Sequence, residues 1–249
     1  MKSNRTGISV IVPVFNGERY VLPALAALKK ELRGLDYEII ISDGGSSDKT
    51  ALQARDAMKQ DRRIVLLEPP KSERWRKARS FLEAARVSKF PSIFYVDVDM
   101  SAEPGQIRGL LKELKDADIA IGSRLVDGSK TERRLDREFL SRFYNFLVRL
   151  LFDSKVHDHQ CGFKAFRKRS LTDLAQRTSS DHFFWDTEML VWAQRTGLAV
   201  REVPIAWREG SSSTINTLTD SFGLFLDILR FRTGLLKADS KMPTNHNKI

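Results

Sequence analysis

Over the first half of this chain, short apolar runs alternate with stretches of helical period, and that rhythm limits the folds open to it. Ile8–Val14, Glu38–Ser42, Ile64–Leu67, Ile93–Val98 and Asp118–Gly122 have the length and composition of buried strands. Between them, helical periodicity runs over Val21–Leu32, from Ser46 or Ser47 to about Lys59, over Ser72–Val87 and over Pro104–Lys115. Ser46 or Ser47 is the expected N-cap of the second helix. Strands spaced by helices of this length predict an α/β fold built on a parallel, doubly wound sheet. Ligands bind such sheets beyond the carboxyl ends of the strands. Asp43 follows the second strand, and Asp97 and Asp99 close the fourth, so the three carboxylates are expected at one crevice.

The second half is less regular. Arg134–Phe152 reads as a helix rich in Phe, Leu and Arg, residues 153–164 as a polar loop, Phe183–Arg195 as a helix and Val200–Trp207 as a strand. Leu218, Phe222, Phe225 and Leu229 fall on one face of an amphipathic C-terminal helix, Leu218–Leu236. From Lys237 the chain is polar and expected to be disordered. The domain reading is therefore 1–216, a helix over 217–236, and a tail over 237–249. With 249 residues, 41% of them hydrophobic and 30% charged, the chain can bury a sizeable core. Cys161 is the single cysteine, which excludes an intramolecular disulfide and fits a reducing compartment. No signal peptide is read at the N-terminus, and no run of 18 apolar residues predicts a membrane span. The net charge of +10 favours an anionic partner: nucleic acid, a phosphorylated substrate or an acidic membrane surface.

Asp97-Val98-Asp99 carries the sharpest chemical signal. On a strand, two residues apart means one face and a separation of about 7 Å. Carboxylates so aimed repel unless a cation lies between them, and hard oxygen ligands favour Mg²⁺ or Mn²⁺. An ordinary acidic loop is the plain alternative. At the other strand ends, Val12-Pro13-Val14-Phe15-Asn16-Gly17-Glu18 and Ile41-Ser42-Asp43-Gly44-Gly45-Ser46-Ser47-Asp48 form turns. Asp43 has the chemistry to accept hydrogen bonds from a base or ribose, while Ser46, Ser47 and Asp48 also suit a helix start. His157, His159 and Cys161 alternate in the polar loop but lack a second ligand cluster, so a structural role is expected of them.

Seven landmarks in order then become diagnostic: VPVFNG, SDGGSSDKT, DVDM, IGSR at 121–124, DHQCGFKAF at 158–166, FFWDTEML at 183–190 and REVPIAW at 201–207. From about Gly7 to Asn216 the chain resembles the family 2 glycosyltransferases of the GT-A fold, and among them the polyprenyl (dolichyl) phosphate hexose synthases. The resemblance implies a GT-A, Rossmann-like, mostly parallel sheet flanked by helices. It implies that Pro13, Phe15 and Glu18 surround a nucleoside and that Asp43 binds the base. Asp97 and Asp99 become the metal pair holding a nucleotide-sugar diphosphate, with Ser101 where the family often carries Gln. Arg124 becomes an anion contact, a surface salt bridge being its plain alternative. Arg79, within Trp75-Arg76-Lys77-Ala78-Arg79, covers the nucleotide-sugar pocket.

A phosphate monoester is already anionic at neutral pH, so as acceptor it needs positioning and charge neutralisation rather than a general base. Lys164, with Lys130, Arg133 and Arg134, is a candidate contact; as plain alternatives these are solvated charges. For a neutral hydroxyl acceptor, Asp186, Glu188 or Asp158 is the candidate base. The family's lysine after the last strand is replaced within Ser213-Thr214-Ile215, which leaves the acceptor open. The resulting expectation is a metal-dependent, inverting transfer of a hexose from a UDP- or GDP-sugar to a polyprenyl phosphate. The expected enzyme is cytoplasmic and peripherally bound to an anionic membrane through Leu218–Leu236 and, less so, Arg134–Phe152. Packing on the sheet or against a partner in a homo-oligomer is the alternative for both helices. A soluble or glycan acceptor is the second enzyme reading. Nucleic-acid binding is disfavoured, because the basic residues are interleaved with acids and no nucleic-acid module is visible.

Overall fold

The computed structural model describes residues 7–70, 72–208 and 217–239, and the side chains of 223–235 in its last helix. Nine strands and eight α-helices follow in chain order: β1 (Ile8–Val14), α1 (Val21–Glu31), β2 (Tyr37–Asp43), α2 (Thr50–Gln60), β3 (Ile64–Leu67), α3 (Lys77–Val87), β4 (Ser92–Val96), a 3₁₀ turn (Pro104–Gln106), α4 (Ile107–Glu113), β5 (Ile119–Ser123), β6 (Lys130–Glu132), α5 (Leu135–Phe152), β7 (Phe163–Arg167), α6 (Lys168–Ala175), α7 (Trp185–Arg195), β8 (Val200–Pro204), β9 (Ala206–Arg208) and α8 (Thr217–Asp239). Seven strands form one sheet in the order β3-β2-β1-β4-β7-β5-β8, and β6 pairs with β9 in a small second sheet.

The main sheet is parallel except at β7, which runs antiparallel to both β4 and β5. Both faces are covered, as parallel strands require. Along β1, Val10, Val12 and Val14 enter one apolar layer with Leu25, Leu28 and Phe94. Ile11 points the other way, into a layer with Phe81, Tyr95, Phe166 and Met189. A third cluster joins α5, α7 and α8 through Val148, Phe184, Val191, Ile228 and Leu235.

Several expectations are corrected. The loop expected over 153–164 ends in β7, a central strand that its charged residues Lys164 and Arg167 disguise. β4 stops at Val96, so Asp97 and Asp99 lie in the following turn, closed by Met100 N–H donating to Asp97 O at 3.1 Å, with Met100 at φ 53°. The strand-face spacing argument therefore does not apply to the pair. α2 starts at Thr50 without a side-chain cap, because the hydroxyls of Ser46 and Ser47 bond Asp43 and Asn16 instead. α3 begins at Lys77 rather than near Ser72. The segment Ser213-Thr214-Ile215, the side chains of Leu218, Phe222 and Lys237, and the tail from 240 lie outside the described residues.

Candidate active site

The β1 and β2 ends are laced into a single rim. Val14 pairs with Asp43 at the last rung, and Gly44 N–H continues the ladder to Val14 O at 2.7 Å. Beyond it, Asn16 N–H donates to Ser46 Oγ (2.8 Å), Gly17 N–H to Thr50 Oγ1 (2.8 Å) and Glu18 N–H to Asp48 Oδ2 (3.1 Å). In return, Ser47 N–H donates to Asn16 Oδ1 and Lys49 N–H to Glu18 Oε2. Glu18 is thus engaged in the rim itself. Pro13 is buried beside Ser42, while Phe15 is exposed under the guanidinium of Arg74. Asp43 is buried, accepts from Ser46 N–H and Oγ–H, and has its pKa raised chiefly by burial. Across the rim, the Trp75 indole N–H is buried with no hydrogen-bond partner among the described residues. Such a donor is costly unless a ligand meets it.

Two strands over from β2, beyond the end of β4, Asp97 and Asp99 meet a charge network that is half-buried at Lys77 and fully buried at Lys164. Lys77 Nζ stands 2.8 Å from Asp97 Oδ1, and Tyr95 donates its hydroxyl to the same oxygen at 3.2 Å. Gly162 lies so close that a Cβ there would fall 1.8 Å from Asp97 Oδ2. Asp99 accepts from Ser101 N–H (3.1 Å) and Ser101 Oγ–H (2.9 Å); burial first, and then the charge of Asp97, raise its pKa. Burial opposes the Lys77 ammonium, but Asp97, Asp186 and Asp99 together hold its pKa above the usual value.

β7 supplies the other half. In its register Lys164 faces Tyr95, and its ammonium, wholly buried, bonds Asp186 Oδ1 at 2.6 Å and the Cys161 carbonyl. Lys164 is therefore not a solvated contact but one member of an internal pair. Glu188, one helical step from Asp186 on α7, accepts from Ser179 N–H, Ser179 Oγ–H and Ser180 N–H, and so fixes the loop before the helix. Arg124 is likewise committed. Its Nε and Nη2 make a bidentate pair with Asp158 at 2.7 and 2.8 Å, and its guanidinium lies over Trp207. Burial opposes the Asp158 charge, yet Arg124 holds that pKa down to about 2. The pair is buried, which corrects the surface-bridge reading of Arg124 and commits Asp158 to that ion pair. Arg79 is exposed, paired with Glu73 at 2.8 Å and near the Trp75 ring. His157 bonds Glu202, and His159 bonds Asn145 and Ser154.

The donor set at the turn suits a hard divalent cation. Asp97 and Asp99 offer carboxylate oxygens, and the raised pKa of Asp99 marks negative charge that a cation would relieve. Ser101 spends its hydroxyl proton on Asp99 and so orients that ligand. Among the described residues no group of three His, Cys, Asp or Glu could hold a metal.

The model of the family described as glycosyl transferase family 2 matches residues 9–175. The chain belongs to glycosyl transferase family 2. It is 31% identical over 229 residues to glycosyltransferase AglD of Haloferax volcanii, covering 90% of this chain but only 36% of that protein. It is 29% identical over 243 residues to a dolichyl-phosphate beta-glucosyltransferase of Dictyostelium discoideum, covering 90% of this chain and 73% of the relative. Among solved structures, glucosyl-3-phosphoglycerate synthase of Mycobacterium tuberculosis, in complex with Mn²⁺, UDP-glucose and glycerol 3-phosphate, superposes with a TM-score of 0.71. At 19% identity over 92% of this chain and 80% of that one, the likeness establishes a GT-A-like fold.

In this family 2 glycosyltransferase, Asp43, Asp97 and Asp99 lie at or just beyond the carboxyl ends of the parallel strands β2 and β4, on one side of the sheet as expected. The sequence reading missed Lys77 and Tyr95, both of which touch Asp97. Lys77 lies within the basic segment Trp75-Arg76-Lys77-Ala78-Arg79, and only the start of α3 at Lys77, which the structure reveals, aims it at the Asp97 turn.

Proposed function

We propose that the enzyme transfers a hexose, with inversion, from a UDP- or GDP-sugar to a polyprenyl phosphate. The observation that carries this reading is the carboxylate pair Asp97/Asp99 in the turn after β4, Asp97 half-buried and Asp99 open to solvent, with buried Asp43 at the end of β2 across β1. A relative named for dolichyl-phosphate glucosyl transfer, matched over nearly the whole of this chain, supports the acceptor class.

In this reading the base and ribose lie in the rim made by Pro13, Phe15, Glu18 and Asp43, covered by Trp75 and Arg79. Asp97 and Asp99, oriented by Ser101, hold Mg²⁺ or Mn²⁺, which when bound supplies positive charge to the diphosphate. An acceptor phosphate oxygen attacks the anomeric carbon. The new C1–O bond forms as the old C1–O bond breaks, and its electron pair leaves on the nucleoside diphosphate. The nucleophile is an anion from the start, so no proton must be removed. Lys77 supplies the nearest positive charge, and the Lys164–Asp186 pair and Tyr95 keep the turn in place. Asp186 belongs to this network through Lys164, while Glu188 holds the loop before α7. The enzyme acts at the cytoplasmic face of an anionic membrane. No helix among the described residues is long and apolar enough to cross one.

Sugar-labelled UDP-glucose and GDP-mannose, each incubated with dolichyl phosphate and Mn²⁺, test the reading. Label is expected in the organic extract for one donor. Label remaining aqueous with dolichyl phosphate, yet moving to glycerol 3-phosphate or another soluble phosphate, would replace the lipid acceptor by a soluble one.

A further inference from the structure

The side of α5 turned away from the protein is apolar along its whole length. Leu135, Phe139, Phe143, Phe146 and Leu150 recur at steps of four, four, three and four and are 84%, 68%, 49%, 58% and 66% exposed. Helical period places them on one stripe about 22 Å long. The opposite side of the same helix is satisfied, since Tyr144, Leu147, Val148 and Leu151 pack into the cluster with α7 and α8. Packing among the described residues therefore does not account for the stripe. On a water-exposed surface, contiguous apolar area of this kind marks a binding face.

Three observations select its occupant. First, Arg142 and Arg149, both exposed, border one side of the stripe, and although Arg142 pairs with Glu138 and Asp136 lies on the other flank, residues 133–152 hold five arginines against two carboxylates in a chain of net charge +10. Second, the neighbouring α8 adds exposed Phe225 and Leu229 beside exposed Arg230, repeating the apolar-and-basic pairing. Third, the helix pair reaches the site: Phe184 packs into its core, while the adjacent Phe183 is exposed with its ring 5.9 Å from Lys77 Nζ. An apolar face with cationic borders, next to a site that takes an anion, matches the surface of an anionic bilayer better than it matches a protein partner.

We infer that α5, more than α8, is the element that seats this enzyme on an anionic membrane, lying in the interface with Leu135, Phe139, Phe143, Phe146 and Leu150 among the acyl chains. This deepens the lipid-acceptor reading by naming how the site reaches its lipid.

The test is vesicle sedimentation of the full chain and of a Phe139→Gln/Phe146→Gln variant. Gln keeps the helix and removes apolar surface. Vesicles of phosphatidylcholine alone are compared with vesicles holding roughly a third phosphatidylglycerol, neither containing any polyprenyl phosphate. The full chain is expected to bind only the anionic vesicles, and the double variant to bind at least about tenfold more weakly. The variant's circular dichroism, melting temperature and transfer to a detergent-dispersed short-chain isoprenyl phosphate are expected to stay unchanged. No binding by the full chain, or equal binding by the variant, overturns the inference. A dimer dispersed by the variant, without vesicle binding, assigns the face to a second copy and overturns it too. Because the vesicles lack acceptor, loss of binding here is separate from failure of labelled dolichyl phosphate to form.

Discussion

Lys77 Nζ and Asp97 Oδ1 stand 2.8 Å apart, so the first carboxylate of the site turn carries an internal cation on one side and Gly162 on the other. That leaves Asp97 little freedom, and Asp99, bonded twice by Ser101, has little more. Removing either carboxylate is expected to act on chemistry rather than on folding. Asp97→Asn and Asp99→Asn should each lower transfer by about a hundredfold or more, with melting temperatures close to that of the parent. Mn²⁺-dependent tightening of UDP or GDP, read by calorimetry, should vanish in both. Undiminished metal-dependent binding in both variants would disqualify the pair.

Gly162→Ala is a sharper probe of the same turn. The added Cβ meets the Asp97 carboxylate rather than backbone, and that carboxylate can move only by loosening its bonds to Lys77 and Tyr95. The protein should fold with little loss of stability, yet transfer should fall by about tenfold or more, since a displacement of about 1 Å at a site costs that much or more. Parent-like kinetics in Gly162→Ala would mean that the position of Asp97 does not matter.

The Lys164–Asp186 pair is wholly internal, so halving it leaves a buried charge without its partner. Lys164→Met or Asp186→Leu alone should cost about 3–5 kcal/mol, measured by denaturant unfolding. The double change should recover most of that loss, as two apolar side chains replace the ions. If each single variant is as stable as the double, the ammonium and carboxylate are not coupled.

His159 predicts an acid limb. Burial lowers its pKa to about 3, with Asn145 and Ser154 bonding the neutral ring. The unfolded chain, near 6.5, binds more protons between those values, so its contribution to stability is complete above pH 6.5 and is lost as pH falls toward 3. Between pH 6.5 and 5 the loss approaches about 1.4 kcal/mol per pH unit. His159→Gln should flatten the melting temperature across that range, even if it lowers the whole curve. An unchanged slope in the variant would place the titration elsewhere.

Strands β1 and β2 are legible in the sequence because both of their faces are buried and apolar runs have no other use, and the short edge strand β3 follows from its apolar run Ile64–Leu67. The end of β4 is not, since Asp97 and Asp99 continue its alternation on paper while Met100 at positive φ turns the chain. β7 escapes because Lys164 and Arg167 make a central strand look like a loop, and the partner that neutralises Lys164 sits 22 residues further on. Arg124 misleads for the same reason: its carboxylate, Asp158, is 34 residues away and joins it only through the fold. What the residues reveal alone is therefore the set of charges. Which charge faces a ligand and which faces another charge is decided by pairing across the sheet.

The antiparallel placement of β7 carries a consequence for synthesis. The strand that fills the gap between β4 and β5 is made only after both of them, with α5 intervening. A growing chain that has just completed β5 thus holds all three donor-side carboxylates, yet it has two unpaired edges where the middle of the sheet belongs. Insertion of residues 163–167 closes that slot, delivers Gly162 to Asp97 and sets Lys164 in place for Asp186, which α7 supplies 22 residues later. Closing the middle of the sheet is a long-range step that no fragment ending before β7 can perform, and completing the charge network waits further, for α7.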